Sequence, residues 1–97
     1  MNNVLIGVIK NEEKIYIQNV EKKFSALKEL NNSLNHTDLL SSEFEQVKQS
    51  IKKDLKETEE LIEKWWLDMC IKYDWDKKDI NQYTLYFDSN EVCKTLN

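Results

Sequence analysis

Proline is absent from this chain, and glycine occurs once, at Gly7. All-β sandwiches and barrels need far more of both for their turns, so that class is excluded and long uninterrupted helices are the natural alternative. No apolar run approaches the roughly 18 residues of a membrane span. The opening Met1-Asn2-Asn3 lacks the basic stretch of a secretion signal, so a cytoplasmic protein away from membranes is expected. One histidine and two cysteines, with no CxxC pair, supply no clustered metal-ligand set. A single glycine also rules out a glycine-rich phosphate loop.

What is present is charge and aromatic surface. Charged residues make up 33% of the 97 residues, with 14 Lys and Arg against 18 Asp and Glu for a net charge of −4. That sign opposes a phosphate backbone, so no nucleic-acid partner is expected. Three Trp, four Tyr and three Phe argue against disorder. The length suits one domain spanning residues 1–97.

Residues 4–9, Val4-Leu5-Ile6-Gly7-Val8-Ile9, form a short β-branched apolar run and predict a strand. Asn11 could cap the helix that follows, with Glu12 and Glu13 at the positive end of its dipole. Ile17, Val20, Phe24, Leu27, Leu30 or Asn31, and Leu34 recur at steps of three and four, predicting an amphipathic helix over 12–34. The polar group Asn35-His36-Thr37-Asp38 interrupts it, and a second cap follows at Thr37, Asp38 or Ser42.

The second stripe is longer: Leu40, Phe44, Val47, Ile51, Leu55, Thr58, Ile62, Trp65 or Trp66, and Met69 predict a helix over 38–73. Lys53 with Glu57, Lys56 with Glu60, and Glu60 with Lys64 could add weak ion pairs along it. Tyr83, Leu85 and Phe87 then alternate with polar neighbours. After the turn chemistry of Asp88-Ser89-Asn90-Glu91, residues 92–96 alternate again, predicting a β-hairpin.

The helices would measure roughly 34 and 54 Å. A short loop would bring the start of the first to about the level of residue 60 on the second, leaving Trp65, Trp66, Met69, Cys70 and Ile71 without a helical partner. Both predicted β regions arrive at that end. The expected fold is therefore α+β: a long antiparallel helical hairpin with a small three-stranded sheet, made of the N-terminal strand and the C-terminal hairpin, packed on the C-terminal end of the second helix. A regular stripe with only one seam also suits a four-helix bundle formed by two copies, so a homodimer is expected.

Chemistry-bearing constellations are scarce. His36 falls in a polar turn with no nucleophile placed beside it by spacing. Asp74, Asp76 and Asp79 look like the front of a calcium loop but lack its glycine and closing glutamate. Cys70 and Cys93 read as core-filling free thiols. No catalytic residue, metal or cofactor is assigned, and the chain is not expected to be an enzyme. Aromatic density in the C-terminal third is the notable feature, and Trp65, Trp66, Trp75, Tyr83 and Tyr86 are the candidate protein-binding residues, because large rigid rings bury much area at low entropic cost. They serve equally well as core.

Three segments carry a family likeness: Asn3-Val4-Leu5-Ile6-Gly7, Phe24-Ser25-Ala26-Leu27-Lys28-Glu29-Leu30, and Trp65-Trp66-Leu67-Asp68-Met69-Cys70-Ile71-Lys72-Tyr73-Asp74-Trp75. With them the chain resembles the small clostridial accessory proteins of CXXX-repeat peptide modification systems. The resemblance implies a non-catalytic adaptor, an accessory component of a pathway in which a radical enzyme modifies a ribosomally made cysteine-repeat peptide. Its partner would be a protein or peptide. Small size and net −4 also fit a different expectation, an acidic phage-encoded inhibitor of a host or defence protein.

Overall fold

The computed structural model describes residues 2–35 and 42–96. The expected turn histidine His36, the caps at Thr37 and Asp38, and the stripe residue Leu40 lie outside the described residues. Strand β1 spans Asn2–Val8, helix α1 Asn11–Asn35, helix α2 Ser42–Tyr73, strand β2 Tyr83–Tyr86 and strand β3 Glu91–Leu96, with a 3-10 turn at Lys77–Gln82. The arrangement is α+β: two long helices packed together with a three-stranded antiparallel sheet. No helix among the described residues is long and apolar enough to cross a membrane.

Helix α1 begins one residue earlier than expected, at Asn11, the residue expected to cap it. The Lys14 amide already donates to the Lys10 carbonyl oxygen at 3.1 Å, which makes Lys10 the capping position and Asn11 the first helical residue. Glu13, at the third helical position, accepts from the Lys10 amide at 2.8 Å. This is half of a capping box, the half that needs no serine or threonine. Helix α2 stops at a left-handed residue, Asp74, with φ 60°. The Trp75 amide folds back to the Cys70 carbonyl oxygen at 2.9 Å, the closing bond of a Schellman motif built without glycine.

In the sheet, β3 lies between β1 and β2. Tyr83 stands opposite Lys94 and Leu85 opposite Val92. Pairing ends at Tyr86 with Glu91, one residue short of the expected strand end, and Asn90 takes the left-handed conformation that closes the turn. Phe87 therefore sits in the turn, yet it still packs against the core, as its place in the alternation required. Along β1 the register slips between Leu5, opposite Cys93, and Gly7, opposite Val92. That bulge lets Ile6 pack against the core while placing Gly7 opposite the fully buried Val92.

The core comprises Ile9, Ile17, Trp65, Met69 and Val92. One residue of the α1 stripe and two of the α2 stripe thus meet Ile9, just beyond β1, and Val92 of the central strand. On α1, Asn31 rather than Leu30 turns inward, since Leu30 is 48% exposed. The polar Thr58 is tolerated in the α2 seam because its hydroxyl donates to the Asp54 carbonyl oxygen at 2.7 Å.

Helix alignment departs from expectation. Glu13, in the first turn of α1, hydrogen-bonds Lys72 and Tyr73 at the last turn of α2, so α1 starts beside residue 72 rather than residue 60. The Trp segment has a helical partner on one side and the sheet on another. Counted back from that contact, α1 covers roughly 33 Å and α2 roughly 45 Å, so the surplus length of α2 lies at its beginning. The expected i,i+4 pairs along α2 do not close either. Among the described residues, ion pairs join Lys72 to Glu13 and Lys94 to Asp79. Exposed pairs on one helix gain too little to hold two long side chains together.

Candidate binding site

Four of the five aromatic residues singled out by the sequence come together. Trp65, 5% exposed, is a core residue, and Trp66 meets its ring edge-on at 4.9 Å. Tyr83 lies 6.2 Å from Trp66 and 6.2 Å from Trp75, and Trp75 stacks on Tyr73 at 5.1 Å. Consecutive tryptophans on a helix diverge by about 100°, which is why Trp65 can enter the core while Trp66 reaches its margin. Tyr86 stands apart. It is 41% exposed, and its hydroxyl oxygen accepts from Asn3 Nδ2 at 3.2 Å.

Trp75 is held by its surroundings on more than one side. A Cβ on Gly7 would lie 2.7 Å from Trp75 Cζ2, so the indole occupies the space a side chain would need. This close approach is what the chain's single glycine provides. The Tyr83 hydroxyl donates to the Asp76 carbonyl oxygen at 2.7 Å, and Asp76 Oδ1 accepts from the Lys78 amide at 3.0 Å, capping the 3-10 turn. Lys94 on the central strand holds Asp79 of that turn at 2.8 Å. The three aspartates thus take separate structural tasks: Asp74 at the helix stop, Asp76 at the cap, Asp79 in the ion pair.

Fixing the 3-10 turn creates a groove of about 570 Å³ beside Trp66. Phe24 of α1, Ile62, Trp66 and Leu67 of α2, and Ile80 of the turn supply its apolar surface. Glu59 and Glu63 lie along the α2 wall, with Lys77 and Asn81 on the side of the turn. Its size falls within the usual range for small-molecule pockets, about 300 to 1,000 Å³. A second depression, about 440 Å³, lies between Phe87 and α1 and includes Glu21, whose carboxyl is pushed up by burial.

Of these groove residues only Trp66 was singled out from the sequence. Residues 77–82 carry no periodic apolar signal, so Ile80 and Lys77 gave no hint. Glu59, Glu63 and Leu67 stand at successive four-residue steps, and Ile62 and Trp66 at another, which places all five on one side of a helix. Read together with the Trp pair, that spacing could have marked the α2 wall.

Elsewhere the polar groups serve the fold. Glu13 accepts from Lys72 Nζ at 2.5 Å and from the Tyr73 hydroxyl as well as from the Lys10 amide. Burial pushes its carboxyl up, but the hydrogen bonds together outweigh this and hold it below its ordinary value. Tyr73 is pushed up by burial and by its bond to Glu13. Both cysteines are free thiols, and the buried Cys70 is pushed up by desolvation, which leaves it poorly nucleophilic. Among the described residues no group of three His, Cys, Asp or Glu could hold a metal ion. No model of a known protein family matches this chain, and neither curated proteins nor solved structures give a match.

Proposed function

We propose that this chain is a non-catalytic adaptor that binds a peptide or protein segment in the groove beside Trp66. The observation that carries the reading is the groove itself: an open apolar recess of about 570 Å³ walled by a half-buried tryptophan and held in shape by a pinned 3-10 turn. Tryptophan is enriched among the residues that carry most of the binding energy at protein interfaces, because a large rigid ring desolvates much area at low entropic cost. A role as an accessory protein of ribosomal peptide modification is the narrower form of the same proposal, with a cysteine-repeat precursor peptide as the occupant.

The test is titration of the labelled full chain with a precursor peptide of that type and with unrelated peptides, following the Trp66 indole resonance. Binding that moves Trp66 and is lost in Trp66→Ala, with helicity unchanged, supports an adaptor. Capture of a peptide that leaves Trp66 unmoved and survives Trp66→Ala would put the binding surface elsewhere. A preference for cysteine-repeat peptides over the others separates the narrow form from the general one.

A further inference from the structure

The groove beside Trp66 carries two exposed carboxylates. Glu59 and Glu63 stand one helical turn apart on the α2 wall, and among the described residues neither is ion-paired. Next to them the surface is apolar: Ile62, Trp66 and, across the gap, Ile80. Lys77 of the lining belongs to the opposite wall and is in no ion pair among the described residues, and Lys28 Nζ lies 4.4 Å from the centre of the Phe24 ring on the α1 wall. Charge across the groove is therefore polarised, negative on α2 and positive on the 3-10 turn and beside Phe24 of α1.

Resting on the reading of this groove as a peptide site, we propose that its occupant is a cationic segment: an apolar side chain seated against Trp66, with a lysine or arginine close by in sequence that meets Glu59 and Glu63. An acidic segment would bring like charge to the α2 wall and leave two carboxylates facing a third. A neutral one would fill the apolar recess but leave both unmatched. Lys77 fixes the direction of approach, since a basic side chain is repelled from the turn and drawn to the helix. Both carboxylates remain solvated at the rim, so their effect is modest, salt-sensitive and expressed as selectivity more than as affinity.

Three end-capped synthetic peptides sharing a leucine core and differing only in lysine, glutamine or glutamate flanks test this on the full chain. Trp66 indole NMR shifts give the dissociation constants. The lysine peptide should bind about fivefold more tightly than the glutamine peptide, with the glutamate peptide weakest, and the spread should shrink in high salt. In the Glu59→Gln/Glu63→Gln double variant the preference should fall towards unity while the glutamine peptide binds as before. Because that variant also lowers the net charge from −4 to about −2, Glu45→Gln/Glu57→Gln, which makes the same change away from the groove lining, serves as its control and should keep the preference. Equal binding of all three, or a preference that survives the double substitution, would overturn the cationic assignment and leave the groove reading standing. Failure of all three to move the Trp66 resonance would overturn the groove reading and this inference with it.

Discussion

At one end of the helical hairpin a sheet makes a third layer, and at the other, among the described residues, the two helices have only each other. The stripes that run along both helices are equally regular in the two regions, yet burial is not. Ile9, Ile17, Trp65, Met69, Cys70 and Val92 are all buried at the sheet end, whereas further along α2 from it, beyond Thr58, Ile51 is the only buried apolar residue among those described. Val47, a stripe position by spacing, is 50% exposed. An apolar stripe therefore specifies which side of a helix turns inward, but the number of packed layers decides how much of it leaves water.

The largest contrast should come from truncating one buried residue in each region. Trp65→Ala removes a ring wedged between helix and sheet, and urea unfolding should show a loss of about 3 to 5 kcal/mol. Ile51→Ala should cost nearer 2 kcal/mol, because a site with a single seam can collapse around the missing atoms. Equal losses would mean that the layers do not set the cost. Next in size is Gly7→Ala. The added methyl would meet the Trp75 ring at 2.7 Å, so the indole or the bulged strand must shift, at about 1 to 3 kcal/mol. Trp75→Leu should relieve part of that loss in the double variant, since the clash is with the ring.

Smaller again is the strut that joins α1 to the end of α2. Glu13 has a depressed folded-state pKa, so its contribution is fully present above its ordinary value of 4.5 and is lost as pH falls through the lower folded value. Glu13→Gln should lower the urea midpoint at pH 7, and the gap between it and the parent protein should close in acid below pH 4.5. A gap independent of pH would show that shape rather than charge is what Glu13 contributes. Glu21 should behave in the opposite sense. Burial raises its pKa, so protonation favours the folded state and Glu21→Gln should raise the midpoint slightly at neutral pH.

The same contrast explains how much could be read from the residues. Strand, helix, long helix and hairpin were all visible, because the helices carry a period of 3.6, the hairpin a period of two and the first strand a short β-branched apolar run, and the convergence of both termini on the Trp segment followed from element order and lengths. Register between the helices did not follow. It is set by Glu13 reaching Lys72 and Tyr73 across some 60 residues of chain, a pairing no local pattern encodes. The 3-10 turn at 77–82 escaped for a related reason, since beyond the local cap at Asp76 it is held by Lys94 and Tyr83 of the hairpin. Without that turn the groove beside Trp66 could not be anticipated, although the tryptophan on its wall was.

The smallest effect expected concerns the thin end. In a single chain Val47 is half exposed, so Val47→Ala should change stability by no more than about 0.5 kcal/mol, with a melting temperature independent of protein concentration. If two copies pair along this stretch as a four-helix bundle, the same methyl groups are buried by the partner. The loss then exceeds about 1 kcal/mol, and the melting temperature of the parent protein rises with concentration. Trp65→Ala cannot make this distinction, because its site is closed within one chain. Val47 can, because the only element able to cover it would have to come from outside the described fold.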